Sequence, residues 1–240
     1  MNLVVTILAA GEGKRMKSDL PKVLHLCKGK PMLVRIIETA LQLSPSKLIV
    51  VTGKYHELIK ETISKYLNIE SIQFIQQRLP IGTGYAVYQC VTAYDPGENV
   101  LILNGDMPLI QGELLNKVIK NTSNAKIVVA KLADPTGYGR IIYNNDGEFI
   151  DIVEEKDCDT EQKHIDIVNV GIYIINSMLL KKYIPKIRNQ NAQGEYYLTD
   201  IVKILKAENI NIDTHLIDES ENKLVLGVNT QEELGFLDSN

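Results

Sequence analysis

Apolar segments alternate with helical segments over the first half of the chain, and this alternation constrains the fold more than any other feature. Four segments have the apolar spacing of helices: 32–43, 57–67, 83–94 and 112–121. Five runs rich in β-branched residues lie around them and predict strands at 3–9, 47–52, 71–76, 99–106 and 126–132. Apolar strands joined by helices are typical of a parallel sheet with helices on both faces.

The pattern changes after residue 133. Two strands around an Asn-Asn-Asp-Gly turn are expected over 139–155, and a longer strand over 164–175. The remaining elements are expected as helices near 177–184, 197–208 and 230–237 and as strands over 211–217 and 223–228. The predicted fold class is therefore α/β, a Rossmann-like, mixed but mostly parallel sheet flanked by helices, with a small antiparallel subregion. No linker is evident, so residues 1–240 are expected to form one domain.

Ligands of such sheets bind over the carboxyl ends of the strands. The chemistry is therefore expected in the loops after residues 8, 76, 105 and 228. The net charge of −4 provides no general basic field that would attract nucleic acid. No apolar run is long enough to cross a membrane, and the first residues lack the cations of a signal peptide, so a cytoplasmic location is expected. The three cysteines are far apart and show no zinc-site spacing.

The loop after the first strand, "LAAGEGKRMKSDLPKVLH", combines two glycines with four cations. Met16 stands where a P-loop or a dinucleotide fingerprint needs a glycine, so neither motif is present. Gly11 and Gly13 allow the backbone N–H groups to surround a phosphate, and Arg15 and Lys22 supply charge. A solvated basic loop is the alternative interpretation.

This loop is the first of eight motifs that resemble the sugar nucleotidyltransferase family, whose fold is of the GT-A-like type. The others follow in the family's order: "IGTGYAV", "GDMPLI", "DPTGYGRI", "IVEEKD", "NVGIY", "NAQGEYYLTDIV" and "GVNT". The resemblance is strongest to the pyrophosphorylase (uridylyltransferase) part of the bacterial bifunctional UDP-N-acetylglucosamine pyrophosphorylases. The β-helix acetyltransferase domain of that family is not in this sequence, so we expect that this chain does not acetylate its own substrate.

The resemblance implies Mg²⁺-dependent transfer of UMP from UTP to N-acetylglucosamine 1-phosphate, with release of pyrophosphate. Arg15 would hold the leaving phosphates, and Lys22 would hold the α-phosphate. Asp106 and Asn229 would hold Mg²⁺. The expected catalytic residues are Arg15, Lys22 and Asp106. UTP and a sugar 1-phosphate are the expected partners, and the assembly is expected to be a monomer or a small homo-oligomer. Residues of about 1–133 and 218–240 would form the nucleotide and metal part, and about 134–217 the sugar part.

The resemblance also implies which residues bind each substrate. The expected nucleotide-binding residues are Leu8, Ala9, Ala10, Gly11, Gly13, Gln77, Gly82, Thr83 and Gly105. The expected sugar-binding residues are Gly139, Glu154, Asn169, Tyr197 and Thr199. A side-chain amide donates and accepts at once, so Gln77 would pair with the edge of uracil.

Two departures from the family pattern leave the substrates open. Pro80 replaces the usual Gln of the base loop, and Val170 replaces the usual Thr of Asn-Thr-Gly. Glucose 1-phosphate and TTP are therefore alternative substrates for the same chemistry. A glycosyltransferase would use an Asp-x-Asp motif, and 157–159 is such a triplet, but it does not follow a predicted strand. A catalytically silent nucleotide-binding regulator is the remaining alternative.

Overall fold

The computed structural model describes residues 2–122 and 124–239. Its strands are β1 (Leu3–Ala9), β2 (Leu26–Cys27), β3 (Lys30–Pro31), β4 (Lys47–Thr52), β5 (Ile72–Gln76), β6 (Asn99–Asn104), β7 (Ala125–Lys131), β8 (Gly139–Tyr143), β9 (Phe149–Val153), β10 (Ile167–Asn176) and β11 (Ile212–Leu216). Its α-helices are α1 (Met32–Leu41), α2 (His56–Ser64), α3 (Thr83–Tyr88), α4 (Gly112–Ile119), α5 (Ser177–Tyr183), α6 (Ile201–Ala207), α7 (Asn222–Val225) and α8 (Gln231–Ser239). Short 3₁₀ turns cover Lys14–Met16, Lys22–Leu24, Gln162–His164, Ile184–Lys186, Leu198–Asp200 and Glu219–Glu221.

The main sheet has the strand order β11-β7-β10-β6-β1-β4-β5. The neighbours on the β1 side (β6-β1, β1-β4 and β4-β5) are parallel, and so are β11 and β7. β10 runs antiparallel to both β6 and β7 and also pairs with β8, which continues the sheet to β9. This arrangement confirms the predicted mixed, mostly parallel sheet with an antiparallel subregion.

Successive residues of β1 face opposite sides of the sheet, as the period of a strand requires. Val5 packs in a core cluster with Leu33 of α1, whereas Val4 packs in a second cluster with Val87 of α3. Both clusters consist of buried apolar side chains from strands and helices. Helices therefore cover both faces of the sheet, as the sequence predicted.

The prediction of a strand over 223–228 is wrong. Residues of this run form α7, which buries Leu224 and Val225 in the same core cluster as Val5. A short apolar run does not by itself distinguish a strand from a buried helix. The chain then passes the sheet edge in an extended form, where the Val228 N–H donates to the Asp106 carbonyl at 2.8 Å.

Three other elements are shorter than predicted. α3 ends at Tyr88 rather than near 94, β10 begins at Ile167 rather than 164, and α6 begins at Ile201 after a 3₁₀ turn. None of the helices in the described ranges is both long and apolar enough to cross a membrane.

Candidate active site

Two cavities open along the sheet edge where β1, β5 and β6 end. One encloses about 660 Å³ and the other about 610 Å³. The two share part of their walls: Leu8, Arg15, Thr83, Asn104, Asp106, Gly137 and Asn229 border both. Parallel strands end at the same edge, so the structure brings together the loops expected from the sequence. We call the smaller cavity, which lies on the β1 and β5 side, the first-loop cavity. We call the larger one the hairpin cavity, because it is bordered by Gly139 of β8 and by Glu154, which follows β9, and these two strands form a hairpin.

The loop after β1 forms one wall of the first-loop cavity. Ala9, Ala10, Gly11, Gly13 and Lys22 border it. Gly13 has a left-handed backbone with φ of 65°, which glycine adopts without steric cost. The loop is fixed from behind, because the buried Met16 packs against α8 and its carbonyl accepts a hydrogen bond from Gln231 Nε2 at 2.9 Å.

Three polar side chains of the shared wall, Arg15, Asp106 and Asn229, meet Lys22 of the first-loop cavity. Lys22 Nζ lies 2.5 Å from Asp106 Oδ2 and 3.1 Å from Asn229 Oδ1. Arg15 Nη2 donates to the same Asn229 oxygen at 2.8 Å. Two cations therefore converge on one carboxylate and one amide oxygen, with the Lys22 and Asp106 side chains only 15% and 18% exposed.

The Asn229 side chain is free for this contact because another residue caps α8. Thr230 Oγ1 accepts the Glu233 N–H at 3.1 Å, and the Glu233 carboxylate accepts the Asn229 N–H at 2.6 Å. This reciprocal pair resembles a capping box. Thr230 therefore caps α8, and the Asn229 side chain is left for its contacts with Arg15 and Lys22.

Gln77 is buried beside the first-loop cavity, and its position is fixed by two hydrogen bonds. Its N–H donates to the Thr52 carbonyl at 2.7 Å, and its Nε2 donates to the Gly82 carbonyl at 3.1 Å. Gly82 has φ of 115°, and a Cβ there would overlap the Tyr196 backbone. Only glycine therefore allows the close approach of the loop after β5 to the segment around Tyr196.

The hairpin cavity is bordered by Gly139, Glu154, Asn169 and Thr199. Thr199 Oγ1 donates to Glu154 Oε1 at 2.9 Å, and burial raises the pKa of the Glu154 carboxyl. A Cβ on Gly139 would lie 2.9 Å from Ile152 Cγ2 and 3.5 Å from Glu154 Oε2, so this position also requires a small residue.

The amide of Asn169 has a fixed orientation. Its Nδ2 donates to Tyr173 Oη at 2.6 Å, and its Oδ1 accepts the Gly171 N–H at 3.1 Å. One hydrogen of the amide nitrogen and one lone pair of the oxygen remain for a ligand. Asn169 can therefore offer a donor and an acceptor without rearrangement.

Two residues expected in the site border neither cavity. Gly105 continues the sheet edge, where its N–H donates to the Leu8 carbonyl at 2.8 Å. The Tyr197 side chain is buried, its hydroxyl has no partner among the described residues, and burial raises its pKa. Glycine at 105 allows close packing, since a Cβ would lie 2.9 Å from Leu8 O.

Sequence reasoning assigned no role to several residues that border the cavities, among them Asn104, Tyr138 and Tyr173. Asn104, the last residue of β6, borders both, and Tyr138 and Tyr173 border the hairpin cavity. Asn104 had a recognisable signal, because it directly precedes Gly105-Asp106 at a strand end. Tyr138 lies within a recognised motif, whereas Tyr173 had no signal beyond that of an aromatic residue in a strand.

The fold and the paired cavities with a cationic wall agree with the class that the sequence motifs indicate, a nucleotidyltransferase. Comparison with known proteins identifies the family. Residues 5–159 match the model of the MobA-like NTP transferase domain, so the chain belongs to this family.

Two kinds of curated relative match this chain. A mimivirus protein named "Probable UDP-N-acetylglucosamine pyrophosphorylase" is 41% identical over 244 residues, covering 99% of this chain and 95% of the viral protein. The bifunctional protein GlmU of Dechloromonas aromatica is 43% identical over 239 residues, covering 99% of this chain but 51% of GlmU. The chain thus spans about half the length of this bacterial relative, and the resemblance to the pyrophosphorylase part is confirmed.

A solved structure has the same fold. A candidate glucose-1-phosphate thymidylyltransferase from Bacillus anthracis, in complex with a sucrose, superposes with a TM-score of 0.75. The match covers 99% of this chain and 94% of that one at 19% sequence identity. At this identity the likeness shows the fold alone.

Proposed function

We propose that this chain transfers UMP from UTP to N-acetylglucosamine 1-phosphate, giving UDP-N-acetylglucosamine and pyrophosphate. The name of the mimivirus relative, a probable UDP-N-acetylglucosamine pyrophosphorylase, supports this product. The observation that carries the proposal is the cluster of Lys22 with Arg15, Asp106 and Asn229, the last three of which lie on the wall that the two cavities share. A reaction between two bound substrates has to take place where their cavities meet.

The reaction forms one phosphorus–oxygen bond and breaks another. A phosphate oxygen of the sugar 1-phosphate attacks the α-phosphorus of UTP, and the bond from this phosphorus to the bridging oxygen breaks. The electron pair leaves with pyrophosphate, so the chain needs no nucleophile of its own. Positioning and charge stabilisation are then the work of the protein. Lys22 would stabilise charge at the α-phosphate, and Arg15 would hold the leaving phosphates.

Asp106 and Asn229 are suitable ligands for Mg²⁺. They offer a carboxylate and an amide oxygen, which are the donor types that this hard cation prefers. Both oxygens already accept hydrogen bonds from the Lys22 ammonium group, so the pair favours positive charge. When bound, Mg²⁺ would neutralise and orient the phosphates. Two protein oxygens would leave the other positions of an octahedral Mg²⁺ to substrate phosphates and water.

The other site residues would select the two substrates. Gln77, fixed by Gly82, would read the uracil edge in the first-loop cavity. Glu154 and Asn169 would bind hydroxyl groups of the sugar, and the Gly139 N–H would face its N-acetyl group. Thr83 borders both cavities, and Thr199 orients Glu154.

The same chemistry with glucose 1-phosphate or TTP is the second candidate. Val170 borders the hairpin cavity without a hydroxyl group, and Pro80 borders the first-loop cavity without an amide. Both residues lie where a change of side chain would alter the fit of a substrate.

Pyrophosphate release in the presence of Mg²⁺ tests the proposal. UTP and TTP are each combined with N-acetylglucosamine 1-phosphate and with glucose 1-phosphate. We expect the highest kcat/KM for UTP with N-acetylglucosamine 1-phosphate. Lys22→Ala should lower kcat by about 10²–10³-fold, the usual loss when a group that stabilises transition-state charge is removed. Lys17→Gln is the matched control, because Lys17 is an exposed cation of the same loop that borders neither cavity.

Other outcomes would change the proposal. A preference for glucose 1-phosphate or TTP would keep the reaction and replace the substrate. UTP binding without pyrophosphate release from any pair would favour the silent regulator. An equal loss of activity in Lys17→Gln and Lys22→Ala would mean that the loop acts through its total charge and not through Lys22.

A further inference from the structure

Arg140 is buried at the start of β8, directly after Gly139, and only 1% of its surface is exposed. It borders neither cavity. Its backbone pairs with Val168 of β10 on one side and with Val153 of β9 on the other. Arg140 therefore lies where β8, β9 and β10 come together, next to the hairpin cavity.

The Arg140 side chain connects these strands to two loops. Its Nη1 donates to the Tyr138 carbonyl, and its Nη2 lies 2.7 Å from Glu155 Oε2 and 3.3 Å from the Lys163 carbonyl oxygen. The same Glu155 oxygen accepts the Gly137 N–H at 3.3 Å. Arg140 and Glu155 thus hold the backbone of 137–138 against the segment that follows β9.

Both ends of this connection lead directly to the hairpin cavity. Residues 136–139 border it on one side, and Glu154, the neighbour of Glu155, borders it on another. The space between Gly139 and Glu154 is narrow, because a Cβ on Gly139 would lie 3.5 Å from Glu154 Oε2. A small shift of the 137–139 backbone would therefore change the width of the cavity at the two groups expected to contact the sugar.

Stability alone does not account for an arginine here. Removing a guanidinium group from water is costly, and apolar residues often replace a buried ion pair without loss of stability. The Arg140 Nε–H is buried and has no partner among the described residues, which adds to this cost. An arginine with these costs is better explained by the two backbone segments that it holds in place.

We propose that Arg140, acting through Glu155, is a positioning residue that sets the distance between Gly139 and Glu154 and so the affinity for the sugar 1-phosphate. This inference rests in part on the proposed function, because it takes the hairpin cavity as the sugar site. It goes beyond that function by assigning a role to two side chains that do not contact the substrate.

Steady-state kinetics of the full chain test the inference, with the sugar 1-phosphate that the wild type uses best. Glu155→Ala should raise KM for the sugar 1-phosphate about tenfold, since misplacements of about 1 Å can cost up to 10²-fold. KM for the nucleotide should change less, because Gly137 is the only residue of 137–139 that also borders the first-loop cavity. Glu155→Gln should restore most of the affinity, because its amide oxygen can still accept from Arg140 and from Gly137. Arg140→Lys should resemble Glu155→Ala if it folds.

Lys203→Ala is the matched control. It breaks the 3.3 Å ion pair between Lys203 Nζ of α6 and Asp151 Oδ2 of β9, and neither residue borders a cavity described above. Neither KM should change in this variant. Hydrogen exchange of residues 134–141 provides a readout that does not need activity, and it should become faster in Glu155→Ala and stay unchanged in Lys203→Ala.

Several results would overturn the inference. Equal increases in both KM values would indicate a general loss of structure, and unchanged KM values or unchanged exchange in Glu155→Ala would show that the connection does not position the cavity. If the wild type releases no pyrophosphate with any substrate pair, the proposed function fails. The exchange experiment would then still decide whether Arg140 and Glu155 hold the loop.

Discussion

Replacing Gly13 by alanine should displace Lys22 and thereby impair catalysis. A Cβ on Gly13 would lie 2.5 Å from Lys22 Cβ and 3.3 Å from both Lys22 Cα and Lys22 N. Carbon atoms prefer separations of about 3.5–4.0 Å, so relief of the clash requires a shift of about 1 Å. Part of the close contact is with backbone atoms, so a change of the Lys22 side-chain rotamer cannot remove it completely.

The shift would act on the cluster at the shared wall. Lys22 Nζ lies 2.5 Å from Asp106 Oδ2, and a displacement of 1 Å separates or reorients this pair. Misplacement on this scale costs up to about 10²-fold in rate. Alanine would also have to adopt φ near 65°, which costs about 1–2 kcal/mol of folding free energy. We therefore expect kcat to fall about 10²-fold together with a lower midpoint of thermal unfolding.

Gly29→Ala separates the two effects. Gly29 also has a left-handed backbone, with φ of 79°, but a Cβ there would meet no atom within 4 Å. Its variant should show the loss of stability with an unchanged kcat. Both variants are measured for pyrophosphate release well below their unfolding midpoints. If Gly13→Ala retains the wild-type kcat while its midpoint falls as in Gly29→Ala, the contact between Gly13 and Lys22 does not position the catalytic cluster.

Two further variants test the hairpin cavity. Burial raises the pKa of Glu154 above its value in the unfolded chain, so the ionised carboxylate destabilises the folded state. This loss of stability is absent below the ordinary carboxyl pKa and grows as the pH rises through the raised pKa. Glu154→Gln should therefore unfold at a higher temperature than wild type at pH 7 but not at pH 4, and its KM for the sugar 1-phosphate should rise. If the variant and the wild type have equal unfolding midpoints at both pH values, the argument is wrong. Gly171→Ala should raise the same KM and lower stability, because Gly171 has φ of 79° and a Cβ there would overlap the Asn104 side-chain amide; an unchanged KM would show that this wall does not touch the sugar.

Several features of the fold could be predicted because they depend on local patterns. β1, β4 and β6 are short apolar runs, and the helices between them have clear apolar spacing, as in α1 with its six buried residues. The residues around α7 could not be predicted in the same way. Their apolar run fits either a strand or a buried turn of helix, and only the space beside the core decides between them.

The sequence by itself determined the alternation of strands and helices, the family motifs and the residue types of the cationic loop. The tertiary structure decided which of these residues meet. Lys22 lies 84 residues from Asp106 and 207 residues from Asn229 along the chain, yet its ammonium group contacts both. No local pattern predicted that β10 inserts between β6 and β7. Nor did any pattern predict that Arg140 is buried next to the hairpin cavity. Such features depend on long-range strand pairing and on the packing of distant segments, which a local sequence pattern does not encode.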